Sequence, residues 1–198
     1  MRYADIKTVD IANGPGCRVT LWVQGCSRHC PGCFNQQSWD FNGGKLFDNY
    51  AYGEIIEALY QPYIHGLTVL GGEPLEQGKE LACLLADMKE IFPEKDLWVY
   101  TGYRWEELND DQRLIIRCAD VLVDGSFEEA HKVLNLRFRG STNQRFIDVQ
   151  KSLEAGEVIE IELPEYETGE SSYESIKRYT DAVRGIAGTD DCAGAALL

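Results

Sequence analysis

The sequence predicts an α/β fold built on a parallel sheet with crossover helices. Three observations carry that expectation. Short apolar runs at 67–72, 97–102 and 120–125 alternate with longer segments of helical period. The pitch of the alternation suits β–α–β units, whose crossovers bring successive strands side by side. Each of these runs ends in a turn-forming dipeptide, Gly71-Gly72, Thr101-Gly102 or Asp124-Gly125. The chain has 198 residues, 44% of them hydrophobic, which is the size of one domain with material for one core.

Taken in order, residues 1–12 read as a short arm, and NGPGC (13–17) reads as a loop with two glycines and a proline. RVTLWVQ (18–24) has the alternation of a strand. The polar segment NQQSWDFNGGK (35–45) reads as loop, and YGEIIEALYQ (52–61) has helical spacing. LTVLGG (67–72) is a buried strand with its exit turn. Leu81, Leu84, Leu85, Met88 and Ile91 place a helix over 76–92. LWVYTG (97–102) is a strand, 105–119 a helix, and DVLVDG (120–125) a further buried strand. Functional loops in such folds leave the C-terminal ends of the strands. The segments GCSRHCPGCFN (25–35), GGEP (71–74), TGY (101–103) and DGSF (124–127) are therefore expected on one rim.

The texture changes after about residue 150, so the expected division is a core of 1–150 and an acidic extension of 151–198. The extension holds eleven acidic and four basic side chains, half of the total net charge of −14. Val158, Ile159, Ile161 and Leu163 fit one strand, 173–188 a last helix, and 189–198 a loose tail. The acidic balance argues against nucleic-acid binding, which needs clustered Lys and Arg. No run approaches a membrane span and the N-terminus lacks an apolar signal core, so a soluble cytoplasmic protein is expected. Seven cysteines are an odd number and unevenly spaced, whereas a secreted disulfide framework would be shorter and even-numbered.

Cys26, Cys30 and Cys33 crowd into one loop with spacing CxxxCxxC. Three thiolates on one loop suit three irons of a [4Fe–4S] cluster. With no fourth protein ligand, one iron stays open to a substrate, as catalytic zinc keeps an open position. Zinc is the competing reading, with His29 or Cys17 as a fourth ligand, although structural zinc favours paired CxxC units. GGEP at 71–74 follows an apolar strand; its glycines permit close backbone approach, while Pro74 also suits an ordinary helix start.

Together these features resemble the radical S-adenosylmethionine (SAM) superfamily. NGPGCRVTLWVQGCSRHCPGCFNQQSW, GGEPL, LWVYTGY, ADVLVDGSF and RFRGSTNQR are similar, over residues 5–150, to the activating proteins of anaerobic (class III) ribonucleoside-triphosphate reductases within it. The pyruvate formate-lyase activating enzymes are more distant. The resemblance implies an incomplete parallel β/α barrel, a [4Fe–4S] cluster on Cys26, Cys30 and Cys33, and SAM chelating the open iron. It implies reductive cleavage of SAM and hydrogen abstraction from a glycine of the reductase, with an electron donor such as flavodoxin and a homodimer or a hetero-tetramer with the reductase.

The same resemblance places the methionine end of SAM at Gly71, Gly72, Glu73 and Pro74, and the adenine at Gly32, Cys33 and Phe34. The aromatic residue that many members carry just before the third cysteine is replaced here by Gly32. Thr101, Asp124, Gly125 and Ser126, at later strand ends, are expected near the ribose or carboxylate. Asn13, Gly14 and Pro15 are expected to shape the loop beside the cluster, and Arg137, Arg139, Asn143 and Arg145 to meet the reductase. Cys83 and Cys118 read as core and Cys192 as a bystander; His65 and His131 receive no role. The competing functions are a radical SAM enzyme for another protein or a small molecule, and a non-enzymatic metal-binding module that recruits a partner.

Overall fold

The computed structural model describes residues 1–133 and 136–163. The expected last helix at 173–188, the tail and Cys192 lie outside the described residues. The fold is mixed α/β, on one seven-stranded sheet. Its strands are β1 (Arg2–Asp10), β2 (Cys17–Val23), β3 (Lys45–Leu46), β4 (Ile64–Gly71), β5 (Asp96–Tyr100), β6 (Val121–Asp124) and β7 (Arg145–Asp148). The spatial order is β3-β1-β2-β4-β5-β6-β7. The four central strands β2, β4, β5 and β6 are parallel, as the alternation predicts. Antiparallel strands flank them on both sides, so the sheet is only partly parallel.

The flanking strands were hidden in the sequence for physical reasons. The expected arm at 1–12 is the nine-residue strand β1, whose exposed Asp5, Lys7, Thr8 and Val9 break the apolar alternation. Its register with β2 also shifts between Tyr3 and Asp5 and between Lys7 and Asp10. β7 has only four residues, too few for a periodic signal.

The helices are α1 (Asn49–Leu59), α2 (Lys79–Ile91), α3 (Asp110–Ile116) and α4 (Val149–Ala155). Asp48 starts α1 by accepting the amides of Tyr50 and Ala51. The helix expected over 105–119 is broken into a 3-10 turn at Trp105–Glu107 and α3. Asn109 is the reason: it accepts the Gln112 amide at 2.9 Å while the Gln112 side chain accepts its own amide at 3.1 Å, a reciprocal cap that starts a new helix.

Alternate side chains of the central strands serve two different interiors. Val19, Leu21, Leu67, Val69, Leu97, Val99 and Leu122 pack with Ile55, Leu59, Leu81, Leu85, Met88 and Ile115 from the helices. Trp98, Val121, Val123 and Phe146 form a smaller cluster with Tyr100, Phe138, Ile161 and Leu163. Beside it lies Arg18, wholly buried, pairing with Asp96, donating to Thr68 Oγ1 at 2.7 Å and lying over the Trp98 ring. Such a buried charge persists only with its hydrogen bonds made.

The segment expected as one strand at 158–163 runs along β7. Asp148 donates to the Ile159 carbonyl and Ile161 to that of Phe146, at 2.9 and 2.8 Å, so this segment covers the edge of the sheet. Among the described residues no helix is long and apolar enough to cross a membrane.

Gly66 in β4 lies so close to β5 that an added Cβ would collide with the Asp96 carbonyl, whereas at Gly53 in α1 it would meet nothing within 4 Å. Thermal and urea denaturation should show Gly66→Ala destabilised by about 1–3 kcal/mol and Gly53→Ala stabilised by about 0.5–1 kcal/mol.

Candidate functional site

The cysteine loop begins where β2 ends, and hydrogen bonds close its base. Gly25 donates to the Ser38 carbonyl at 2.8 Å and Cys26 to that of Trp39 at 3.1 Å. Gly25 has φ 102° and an added Cβ there would strike the Phe41 ring, so only glycine fits. Inside the loop Cys33 donates to the Cys30 carbonyl at 3.1 Å, a tight turn for which Gly32 supplies φ 72°. His29 stacks on Trp39 with ring centroids 4.5 Å apart.

The Gly71-Gly72-Glu73 exit of β4 is stitched to this base. Gly72 donates to the Val23 carbonyl and Glu73 to that of Gly25, both at 2.8 Å. A Cβ on Gly71 would meet the Val23 backbone, and one on Gly72 would collide with the Gly25 carbonyl. Both glycines are thus required by the contact of two chain exits, and the amides of Gly72 and Glu73 are spent there.

The Glu73 carboxylate is 1% exposed and accepts three hydrogen bonds. One oxygen takes the Thr101 hydroxyl at 2.7 Å and the Leu75 amide at 3.0 Å; the other takes the Gly102 amide at 2.8 Å. It therefore ties β4 to the exit of β5. Burial pushes its carboxyl up to about 7, against the pull of those donors. Pro74 starts a buried 3-10 turn behind it.

These exits enclose a cavity of about 360 Å³, within the range of small-molecule sites. Cys26, Cys30 and Cys33 line it, with Gly32, Phe34, Gly71, Gly72, Glu73, Thr101 and Gly125. All four segments expected on one rim reach that rim and line this one cavity, the fourth through Gly125 and Phe127. Pro74, Asp124 and Ser126 do not line it. Asp124 is wholly buried beneath the rim, where it takes the Trp105 amide at 2.9 Å and pairs with Arg145 at 2.5 Å. Ser126 donates to the Gly102 carbonyl at 2.9 Å.

Arg145 also reaches Glu106 at 2.9 Å, and Asn143 donates to Ser126 and Glu128, so both brace the rim from within. Arg139 donates to the Gln144 carbonyl at 2.8 Å and lies over Phe146; Arg137 lies over Phe138. Asn13, Gly14 and Pro15 sit at the entering end of β2, the end opposite the cysteine loop. There Asn13 accepts from Thr68, Pro15 accepts from Arg18, and Gly14 packs on the Arg18 side chain.

Trp39, Leu70, Tyr100, Lys132, Gly140 and Gln144 also line the cavity from outside the segments expected on the rim, while Arg28 and Gly102 lie within those segments but were given no role of their own. Leu70 and Tyr100 were within reach, because they continue the inward alternation of β4 and β5 to the rim. Trp39 is placed by its carbonyl's bond to the Cys26 amide and by the stack on His29, which no spacing announces.

The donor set fits an iron–sulfur cluster. The three loop cysteines are free thiols; soft thiolates are the ligands of such clusters. Cys17, Cys83 and Cys118, the other described cysteines, do not line the cavity. Among the described residues no three His, Cys, Asp or Glu side chains converge on one point as a single zinc ion requires. Cys26, Cys30 and Cys33 line one cavity, where each could hold a different iron of a four-iron cube. Burial pushes the Cys26 thiol up, the backbone amides of Arg28 and His29 oppose it, and the charges of Glu73 and Glu76 add to it. Metal binding at this position must therefore release a proton.

Comparison with known proteins agrees with this geometry. The model of the 4Fe-4S single cluster domain family matches residues 12–147. The anaerobic ribonucleoside-triphosphate reductase-activating protein of Enterobacteria phage T4 is 41% identical over 147 residues, covering 73% of this chain and 92% of that protein. The proteins of the same name from Pasteurella multocida and Escherichia coli K12 are 44% and 40% identical, covering 73% of this chain and 95% and 96% of theirs. The chain belongs to the family of anaerobic ribonucleoside-triphosphate reductase-activating proteins, with a 4Fe-4S single cluster domain.

The raised Glu73 carboxyl has a signed consequence. Its folded value lies above its unfolded one, so the stability it contributes is full below about 4.5 and is lost as pH rises through about 7. In urea denaturation of the apoprotein, wild type should lose stability relative to Glu73→Gln as pH is raised from about 5 to about 8; a difference independent of pH would contradict this.

Proposed function

We propose that this chain is a radical SAM activase, which cleaves S-adenosylmethionine reductively at a [4Fe–4S] cluster and generates a glycyl radical on an anaerobic ribonucleoside-triphosphate reductase. One observation carries the reading: the CxxxCxxC loop and the Gly71-Gly72 edge share a single cavity that only three described thiols line. Three thiolates leave a four-iron cube with one iron lacking a protein ligand, and an amino acid offering an amine and a carboxylate can chelate it. When bound there, the cluster and SAM would supply one-electron reduction and a carbon-centred radical able to take a hydrogen atom from a glycine Cα.

The chain's own part is holding, orienting and excluding water. Cys26, Cys30 and Cys33 would bind the irons. The Gly71-Gly72-Glu73 edge would lie along the methionine end of SAM, and the backbone of Gly32, Cys33 and Phe34 beside the adenine, with Thr101 and Gly125 on the walls. Leu70, Tyr100 and Phe127 give the cavity an apolar wall, which limits water around a reactive radical.

The substrate is read as a protein because the site opens at a rim of loops, where Phe34 stands 89% exposed. A glycine suits such a target: without a side chain its Cα can come close, and its flanking amides delocalise the unpaired electron. The sheet, with its parallel centre and inward-facing Arg18, Trp98 and Tyr100, is read as an incomplete barrel. Residues 1–150 would be the radical SAM core and 151–198 an extension. A cytoplasmic setting and a low-potential donor such as flavodoxin suit reduced thiols.

After anaerobic reconstitution with iron and sulfide, the reduced protein should give a [4Fe–4S] electron paramagnetic resonance signal that changes on adding SAM. 5′-Deoxyadenosine should form, and a glycyl radical should appear on the added reductase. Cys26→Ala, Cys30→Ala and Cys33→Ala should each lose the cluster, while Cys17→Ala and Cys83→Ala keep the wild-type iron content. A cluster indifferent to SAM would overturn the proposal.

A further inference from the structure

Two cations line the cavity, Arg28 and Lys132; Lys132 is exposed, whereas Arg28 is half-buried without an anionic partner among the described residues. Arg28 lies between the first two cysteines of the loop. Its Nη2 donates to Ser126 Oγ at 2.7 Å, while its Nε is buried with no hydrogen-bond partner. This is unexpected in a chain with 33 acidic and 19 basic residues, since a guanidinium stays charged at any working pH. A buried donor left unsatisfied is destabilising.

Glu73, Glu76 and Asp124 are committed elsewhere, and Glu129 lies against Gly32 of the cysteine turn without pairing with Arg28. Glu73 takes the Thr101 hydroxyl and the amides of Leu75 and Gly102. Glu76 takes the Ser27 amide at 2.8 Å, the Ser27 hydroxyl and the Tyr103 hydroxyl at 2.8 Å. Asp124 pairs with Arg145.

Arg28 is also held in place. Its guanidinium lies 4.4 Å from the Tyr103 ring centroid, a cation–π contact. Ser126 donates its own proton to the Gly102 carbonyl and so presents a lone pair to Arg28. The side chain lies flat on Gly102, where a Cβ would come within 2.6 Å of its Cδ and Nε. The cysteine loop, Tyr103 and Ser126 thus fix a guanidinium whose remaining donors await an anion.

We propose that Arg28 is a specificity-determining residue that receives the carboxylate of the amino-acid end of SAM. The inference rests on the SAM reading above. SAM carries an ammonium, a sulfonium and one carboxylate, so the carboxylate is its only anionic group and the one a guanidinium attracts most strongly. A charge-assisted bond to that group orients the methionine end at the Glu73–Gly102 junction.

The test uses the anaerobically reconstituted full chain and two probes. SAM has the carboxylate; decarboxylated SAM keeps the adenosine, sulfonium and amine without it. Equilibrium dialysis gives the Kd of each for wild type, Arg28→Gln and Arg28→Lys, with iron content and circular dichroism as controls on folding. Arg28→Gln should weaken SAM roughly 10- to 100-fold, leave decarboxylated SAM within about twofold, and Arg28→Lys should fall between. If Arg28→Gln fails to fold or to hold iron, Arg28→Lys carries the same comparison. Equal weakening of both probes would make Arg28 a staple of the loop only, and no weakening of either would remove it from the site; each result overturns the proposal. Failure of wild type to bind SAM would overturn the SAM reading itself.

Discussion

The buried carboxylate of Glu73 is the constraint from which the geometry of the site follows. A charge sealed from water must find its hydrogen bonds inside the protein, and Glu73 finds them at Thr101, Gly102 and Leu75. Two of these belong to the exit of β5, so β4 and β5 cannot end independently. The amide of Glu73 meanwhile binds the Gly25 carbonyl, at the base of the cysteine loop. One residue thereby fixes three chain exits with respect to one another. The two preceding glycines let this happen, because any side chain at Gly72 would drive the exits of β2 and β4 apart. The GGE triplet is in this sense a joint between strands before it is a surface for a ligand.

The rim could close in this way only on a sheet whose inner face is stiff. Arg18 provides that at the other end of β2. It is bound to Asp96 on the β5 side, to Thr68 in β4 and to the Pro15 carbonyl of the entering loop. Breaking such a group is more damaging than an exposed ion pair, since it strands a buried charge. The NGPG segment belongs to this anchoring: its carbonyls accept from Thr68 and Arg18. Its influence on the cysteine loop passes along β2 and not by contact.

Legibility in the sequence followed the strength of periodic signals. β4, β5 and β6 and the helices beside them show because each buries a regular face, and the parallel centre with its single rim of loops follows from their alternation. β1 did not show because its outer residues are polar and its register is interrupted. β7 was too short. At the site, the cysteine triplet and the glycine pair were legible because chemistry and backbone geometry tolerate few substitutes there. Asp124 shows the opposite case: an Asp-Gly at a strand end looks like a site, yet its carboxylate lies wholly buried in a clasp with Arg145. Arg145 was itself 21 residues away, and spacing carries no information about such partners.

Charge teaches the same lesson at a larger scale. A net charge of −14 is a property of the whole sequence, and half of it lies beyond residue 150. The sign of a cavity is set instead by which side chains have been neutralised by neighbours. Here the carboxylates of Glu73, Glu76 and Asp124 are each engaged by donors of the chain itself, while Arg28 is held by a ring and a hydroxyl that leave its charge unmatched. An acidic protein can therefore present a positive point inside its site. The field there is stronger than the overall charge suggests, because the apolar wall of Leu70, Tyr100 and Phe127 keeps water from screening it.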